Sequence, residues 1–354
     1  MISKEFFRAL DQVAEDRGVS KDKILDIFGR GLLNAYKRDY DGYQNAQVIF
    51  NEEKDEILIV ASFEVVDEID PEAEPGTQIT LEEAKKIKKS AKIGDVIEKK
   101  VTPKDFGRIA ASSAKQILTQ GLKQLERERN YEIFSEKIGE MIIAEVVQIN
   151  KDFVTLDLGY GVETSIPRRD LFEDDVYLGN RIRVYVTKVE QTTKGPKVFV
   201  SRTDRNLVKR LMEMAVPEIR EGIVEIMGIA RDPGKRCKVC VDSNNDNVDP
   251  IGACLGRGGI RIKEVIDSLN GEKVDLYKYS DDPAELVSNA IQPARAVAVL
   301  PDEKEKAAIA VVPDDQLSLA IGRKGQNARL AVQSSGWKID IKSETDAETE
   351  GIDY

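Results

Sequence analysis

The first forty residues place apolar side chains at helical spacing. Positions three or four apart fall on the same face of a helix, so one apolar and one polar face are expected. A first set of four such positions is followed by a second set of four. The apolar positions are Phe6, Phe7, Leu10, Val13, Ile24, Phe28, Leu32 and Tyr36. The pattern predicts two amphipathic helices.

The next hundred residues change period and then return to it. Residues 46–50 and 57–63 are β-branched runs on either side of the polar stretch 51–55, which predicts a hairpin. Pro71 and Pro75 then interrupt the pattern. Thr102 and Pro103 supply a capping hydroxyl and a first-turn proline, and helical spacing continues from them to about Phe134. This predicts an α+β domain followed by a connecting helix of roughly 45 Å at 1.5 Å per residue.

Five short apolar runs then follow within about sixty residues, at 141–149, 153–158, 163–166, 181–189 and 197–200. Such a set suits the small Greek-key barrel known as the OB-fold. Strand count alone also fits another small barrel or a sandwich. The glycines Gly159 and Gly161, the turn 166–169 and the ending 198–202 favour the S1 form of the OB-fold.

Aromatic and basic side chains on the predicted barrel suit RNA binding. Bases can stack on aromatic rings while nearby cations meet the phosphates. Because strand residues alternate between faces, some of Phe153, Tyr160, Tyr185 and Phe199 must be core. The candidate RNA-binding residues here are Phe153, Tyr160, Arg181, Arg183 and Lys188.

A short glycine loop occurs twice, sixty-six residues apart. Gly256-Arg257-Gly258-Gly259 returns as Gly322-Arg323-Lys324-Gly325. Each copy precedes a helical stretch (260–269, 326–332) and then a strand (273–277, 337–341), and follows another strand (236–241, 307–312).

One GxxG is weak support for a site, but two copies in equivalent contexts favour the KH fold. Its loop lets an RNA backbone approach closely, and the free amides of the next helix attract phosphate. The strand order fits the bacterial KH type. All eight loop residues are candidate RNA-binding residues. Because the first loop has Gly258 where the second has Lys324, we expect it to hold phosphate with one fewer cation.

Length and charge bound the class of protein. A chain of 354 residues exceeds one hydrophobic core, so several domains are expected. The net charge of -11 conceals opposite regions: residues 51–75 hold ten acidic and one basic side chain, and residues 181–210 hold nine basic and two acidic. No apolar run approaches the ~20 residues of a membrane span, which predicts no membrane association.

Metal and catalytic chemistry find little support. Three cysteines argue against a disulfide framework, and the chain has no histidine. Cys237 and Cys240 would face opposite sides of a strand, so buried thiols are favoured over zinc. Residues 242–246 begin like a calcium loop, but Asn247 and Ala253 replace the required glycine and glutamate, which favours a turn. Without a Walker loop or serine-nucleophile motif, we expect no enzyme activity, catalytic residue, metal or cofactor.

Several long strings in the sequence are specific. They are FGRIAA at 106–111, VPEI at 216–219, IARDPG at 229–234, NVDPIGAC at 247–254, VPDDQLSLAIG at 312–322 and GWKIDI at 336–341. With the order of an α+β domain, a long helix, an S1 barrel and two KH domains, they resemble the NusA family of bacterial transcription termination/antitermination factors. The similarity extends over about residues 1–342.

The resemblance implies a multidomain elongation factor. It implies an N-terminal domain that binds RNA polymerase core, an S1 (OB-fold) domain and two tandem bacterial-type KH domains on single-stranded nascent RNA. Other Nus-type antitermination factors would be further partners. The predicted bounds are 1–138 (N-terminal), 139–203 (S1), 204–282 (first KH), 283–343 (second KH) and 344–354 (acidic disordered tail). Pausing, intrinsic termination and antitermination are the processes implied.

Location, assembly and rival functions complete the expectations. The N-terminus carries early acidic residues and no apolar signal core, so a cytoplasmic monomer is expected. Acidic repeat modules of the kind some relatives carry do not follow residue 343, so we expect no autoinhibition through them. The main alternative is a translation or ribosome-associated RNA-binding protein built from the same modules. A phosphorolytic ribonuclease would need a catalytic core larger than 138 residues.

Overall fold

The computed structural model describes residues 4–17, 20–40, 43, 45–54, 56–74, 76–103 and 106–354. The chain forms two compact units, Met1–Arg129 and Asn130–Tyr354. Among the helices in these described ranges, none is long and apolar enough to cross a membrane. Of the positions used for prediction, Asp55, Pro75 and the side chains of Phe6 and Val13 lie outside the described residues.

The first unit packs helices against a mixed sheet. Its elements are α1 (Lys4–Arg17), α2 (Lys21–Tyr40), β1 (Ala46–Asn51), β2 (Glu56–Val66), β3 (Gln78–Thr80), α3 (Leu81–Ile87), β4 (Val96–Lys100) and most of α4 (Phe106–Ser135). Strand β2 pairs antiparallel with β1 and β4 and parallel with β3. The two predicted helices and the hairpin are confirmed.

The predicted first residue of the long helix is wrong. Pro103 is not helical, and helix α4 is described from Phe106. The Thr102 hydroxyl is engaged elsewhere: its Oγ1 accepts from the Ile59 amide at 2.8 Å and donates to the Ile59 carbonyl at 3.3 Å. Thr102 therefore extends the edge of the sheet instead of capping a helix.

The second unit opens with the predicted barrel. Its strands are β5 (Met141–Ile149), β6 (Phe153–Asp157), β7 (Glu163–Pro167), β8 (Arg181–Thr192) and β9 (Gly195–Ser201). They lie in the order β7-β6-β5-β8-β9, and Thr164 Oγ1 donates to the Val198 carbonyl at 2.6 Å, linking the two ends. The nearly closed sheet confirms the S1-type OB-fold. Phe134 of α4 is fully buried in the barrel core, four residues before the predicted boundary at 138.

Two KH domains of equal topology follow. The first contains α5 (Arg205–Ala215), α6 (Pro217–Arg220), β10 (Val224–Asp232), β11 (Arg236–Ser243), α7 (Pro250–Leu255), α8 (Ile260–Ser268) and β12 (Lys273–Lys278). The second contains α9 (Pro283–Ala290), β13 (Ala298–Asp302), β14 (Ala307–Val312), α10 (Leu317–Ile321), α11 (Gln326–Ser335) and β15 (Lys338–Ser343). In each sheet the first two strands are antiparallel and the third is parallel to the second. The predicted bacterial strand order is confirmed.

Strand β11 is buried on both faces. Cys237 lies in the core of the first KH domain, whereas Cys240 lies in the core of the second. Burial raises the pKa of the Cys240 thiol to about 11 and that of Cys254 to about 12. The thiols are buried and face opposite sides, as predicted. No group of three metal-ligating side chains occurs among the residues that the structure describes.

The acidic C-terminus forms a helix where disorder was predicted. Helix α12 (Glu344–Thr349) is capped by Ser343, whose Oγ accepts from the Asp346 amide at 3.1 Å. Ala347 is fully buried, and Lys342 pairs with Glu350. One cap, one buried alanine and one counter-ion therefore order a segment whose composition favours disorder.

Candidate nucleic-acid interface

The two glycine loops have nearly the same backbone. The φ angles of Gly256 and Gly322 are 67° and 73°. The third positions, Gly258 and Lys324, lie at 68° and 55°, and the fourth glycines at 76° and 71°. Each loop joins a short helix to a longer one, α7 to α8 and α10 to α11. The repeat seen in the sequence is therefore a structural repeat.

The first glycine of each loop is required by space as well as by φ. A Cβ on Gly256 would lie 2.8 Å from the Arg261 side chain, and one on Gly322 would lie 2.9 Å from the backbone nitrogen of Asn327. Both residues belong to the helix that follows the loop, so the glycine lets the loop fold tightly onto that helix. The amides at its start can then face a bound phosphate.

Cationic and apolar groups border these loops. Arg257, Arg323 and Lys324 are exposed. Large apolar side chains also remain exposed beside the loops and form an apolar rim: Leu255 (39%), Ile260 (67%), Leu319 (48%) and Ile321 (37%). The sequence did not predict this rim, because its residues fit the helical pattern of core positions. Such a rim suits contact with unstacked bases next to a phosphate clamp.

On the barrel, Tyr160 is held outward by the end of α4. Its ring is 59% exposed and packs edge-on against Phe134 at 6.2 Å between centroids. Lys137 Nζ lies 5.2 Å from the Tyr160 centroid, and Asn130 Nδ2 donates to the Tyr160 carbonyl at 3.1 Å. Tyr160 has a φ of 56°, a conformation that few non-glycine residues adopt. An exposed ring in a braced, left-handed loop is a suitable base-stacking platform.

The other barrel aromatics divide between surface and interface. Phe153, at the start of β6, is 50% exposed. Phe199 is half-buried between Lys197 and Lys188, whose Nζ atoms lie 4.8 and 6.0 Å from its centroid. Lys188 also pairs with Glu190, and this hydrogen bond lowers the pKa of the Glu190 carboxyl.

Tyr185 and Arg183 face the first KH domain. Tyr185 packs against that domain's core. Arg183 Nη1 donates to Ser268 Oγ at 3.2 Å, and Arg183 and the exposed Arg181 line a cleft of about 440 Å³ between barrel and KH domain. The structure thus turns Arg183 toward the first KH domain, whereas the rings of Phe153 and Tyr160 are exposed.

A buried ionic network joins the barrel to the first KH domain, and nothing in the sequence pattern indicated it. Arg202 and Asp175 are each about 2% exposed and pair at 3.1 Å, and Arg202 Nη2 donates to the Ser268 carbonyl at 2.9 Å. Nearby, Arg231 pairs with the buried Glu272 at 2.9 Å and donates to the Asp204 carbonyl. Part of the basic excess of residues 181–210 is therefore structural.

Comparison with known proteins agrees with this architecture. Family models match as NusA N-terminal domain (residues 5–128), S1 RNA binding domain (135–200), NusA-like first KH domain (202–279) and NusA-like second KH domain (283–349). The chain is 43% identical to the Bacillus subtilis transcription termination/antitermination protein NusA, covering 99% of this chain and 94% of that protein.

Two further similarities extend the comparison. The Thermus thermophilus protein of the same name is 38% identical, with 96% of this chain and 90% of that protein covered. The solution structure of the N-terminal domain of NusA from B. subtilis is 40% identical, covers 35% of this chain and 98% of that chain, and superposes with a TM-score of 0.30. By the family models and the two relatives matched over nearly their whole length, the chain belongs to the NusA family of transcription termination/antitermination proteins.

Proposed function

We propose that this protein is a transcription elongation factor that binds RNA polymerase and nascent RNA and modulates pausing, intrinsic termination and antitermination. The observation that carries the proposal is the pair of GxxG loops with matching backbone, set in a chain similar over nearly its whole length to proteins named for termination and antitermination. Each loop offers helix amides and exposed cations to a phosphate, which suits single-stranded RNA.

The second unit would follow the transcript. The candidate contacts are all eight loop residues together with Phe153, Tyr160 and Lys188 on the barrel. Arg181 stays in this set because it is exposed at the mouth of the barrel cleft. Arg183 would contribute less, because its guanidinium is bonded to Ser268.

The first unit would bind RNA polymerase core. Residues 51–75 carry a net charge of -9, which repels RNA and leaves this unit suited to a protein partner. Other Nus-type antitermination factors are proposed as further partners. We propose that the chain acts as a cytoplasmic monomer without catalytic activity of its own.

A single-round transcription time course on a template with a hairpin pause tests this function. We expect the intact chain to lengthen the pause. A fragment of residues 130–354 should bind RNA and leave the pause unchanged; this cut is preferred to one at 138 because Phe134 belongs to the barrel core. The loop variant Arg323→Asp/Lys324→Asp, which keeps the first unit intact, should lengthen the pause less than wild type.

The outcome also separates the main alternative. A translation or ribosome-associated RNA-binding protein is not favoured, because the relatives are named for transcription termination and antitermination. If the intact chain at saturating concentration binds RNA but leaves the pause unchanged, the polymerase-based function is wrong and that alternative takes its place.

A further inference from the structure

A cationic groove of about 570 Å³ lies between the second glycine loop and the first KH domain. The second KH domain contributes its loop and helix α11, and the first contributes the turn between β10 and β11 and the start of β12. The cations that line it are Lys235, Arg236, Lys273, Arg323, Lys324 and Arg329. Six positive side chains from two domains around one groove form a surface for a polyanion.

One carboxylate, that of Asp232, lines the groove with these cations, and a second, Asp275, pairs with Arg236 at 3.4 Å. Asp232, the last residue of β10, accepts from Gln326 Nε2 at 2.7 Å and from Arg329 Nη2 at 3.3 Å through the same oxygen, Oδ2. Lys235 Nζ lies 3.4 Å from both of its carboxylate oxygens. Its side chain is 19% exposed, so the groove can still admit solvent and ligand.

This carboxylate meets side chains of the first turn of α11, where an anion is favoured. Gln326 is the first residue of α11, directly after the loop, and Arg329 lies one turn further along the same helix. An anion at the start of a helix, bonded to side chains of its first turn, is held as a phosphodiester oxygen would be held. A phosphate entering here must displace the Asp232 carboxylate or accept its repulsion.

We infer that Asp232 is a resident competitor for RNA phosphate, and that the groove is a composite phosphodiester subsite which the first KH domain both supplies with cations and weakens with this carboxylate. The ligand is the backbone of the single strand held by the second loop. This inference rests on the proposed RNA-binding function. Through Asp232 the first domain lowers the affinity of the second, so that the strand is held loosely enough to move.

Fluorescence anisotropy with a labelled, unstructured single-stranded RNA and the full-length chain tests the inference. Asp232→Asn keeps the shape of the side chain and removes its charge; we expect RNA to bind about three- to tenfold more tightly at low salt, with a smaller gain as salt rises. The matched control is Asp246→Asn, which removes the same charge from an exposed turn beyond the opposite end of β11. It should leave affinity nearly unchanged.

The gain should depend on the second loop. In an Arg323→Asp/Lys324→Asp background the effect of Asp232→Asn should shrink to that of the control, whereas it should persist in an Arg257→Asp background. Thermal unfolding of each variant checks that the fold is retained, since a partly exposed ion pair contributes little stability. Inorganic polyphosphate serves as the competing anion. Its affinity for the chain should rise less in Asp232→Asn than the affinity of RNA does.

Several results would overturn the inference. They are equal gains from Asp232→Asn and Asp246→Asn, weaker binding by Asp232→Asn, or a gain for polyphosphate that equals the gain for RNA and survives loss of the loop cations. A wild-type chain that binds RNA without any gain in Asp232→Asn overturns this inference alone. A wild-type chain that binds no RNA overturns the proposed function as well.

Discussion

The two glycine loops share a backbone and differ in what they display on it. The third loop position is left-handed in both, with Gly258 in one and Lys324 in the other. A left-handed conformation costs a non-glycine residue about 1 kcal/mol or more, whereas glycine adopts it freely. The second loop therefore retains a cation at a strained position. The comparison teaches that the loop geometry is the shared requirement, and that charge is adjusted separately in each domain.

The helices beneath the loops also differ. Under the first loop, Arg261 pairs with Glu218 at 2.8 Å and donates to the Ala253 carbonyl, both within its own domain. Under the second, buried Asn327 donates to the carbonyls of Ala320 and Ile291, and Ile291 directly follows α9 of the same domain. The first loop is thus braced by an ion pair, and the second by a buried amide.

The largest effect is expected from separating the two domains. A Cβ on Gly228 of β10 would lie 2.0 Å from the Ser334 carbonyl oxygen of α11. Because that neighbour is backbone and cannot turn away, Gly228→Ala should lower the free energy of unfolding by about 3 kcal/mol. Urea unfolding followed by fluorescence of Trp337, the single tryptophan, measures it. Equal midpoints for wild type and Gly228→Ala would contradict the prediction.

Next in size is the loss of loop charge. Arg323→Asp/Lys324→Asp should weaken RNA binding about thirtyfold, and Arg257→Asp/Gly258→Asp about fivefold, because the first loop has one cation to lose and the second has two. Filter-binding titrations at a fixed, moderate salt concentration compare them. Equal losses would show that the two loops contribute alike and that the ranking is wrong.

A buried lysine provides a pH-dependent test of the contact between the domains. Lys238 of β11 donates to the carbonyls of Ala290 and Gln292 at 2.7 Å each, and burial lowers its pKa to about 8. The unfolded chain therefore binds more protons than the folded one between about pH 8 and the ordinary lysine pKa, so this contribution to stability rises with pH across that window and is lost as pH falls through 8.

The measurement is the difference in unfolding free energy between wild type and Lys238→Met. We expect this difference to move in favour of wild type by about 1 kcal/mol between pH 7 and pH 9. The matched variant Lys235→Met, which removes an exposed amine from the neighbouring turn, is the control. A flat profile for Lys238→Met would mean that the amine titrates as an exposed lysine does.

The smallest effects should come from exchanging the loops' third residues. Lys324→Gly should weaken RNA binding about threefold through loss of one phosphate contact. Stability should change little, because relief of the left-handed strain is offset by the extra freedom of glycine in the unfolded chain. Gly258→Lys should strengthen binding by a similar factor at a cost of about 1 kcal/mol in stability. Anisotropy titrations of both variants decide. If Gly258→Lys binds no better than wild type, charge is not what distinguishes the loops.

The spacing of apolar positions predicted the helices and strands that bury one face. The barrel strands were predicted from the alternation of apolar and polar residues. The helices after the two glycine loops were predicted from helical spacing. Helix α3 and strand β4 escaped prediction, since the lysine-rich stretch from Lys85 to Lys100 shows few apolar positions. Helix α12 escaped it because its order depends on one cap and one buried alanine.

The site was predictable at the loops and less so on the barrel. The GxxG loops could be recognised in the sequence, because their glycines and cations are contiguous. Arg183, by contrast, donates to Ser268, eighty-five residues away, and Arg202 pairs with Asp175 and with groups near residue 270. Whether an arginine faces solvent or a neighbouring domain depends on contacts distant in sequence, which spacing along a strand does not reveal.

Strand β11 has a consequence for mechanical behaviour. Because one face of β11 lies in each KH core, melting of one domain should expose part of the core of the other. The central amides of β11 should be among the slowest of the second unit to exchange with deuterium. The two KH domains should unfold in a single step. A pulling force on an RNA strand bound by one glycine loop would then be transmitted directly to the other KH domain. Both loops would therefore keep or release the RNA together.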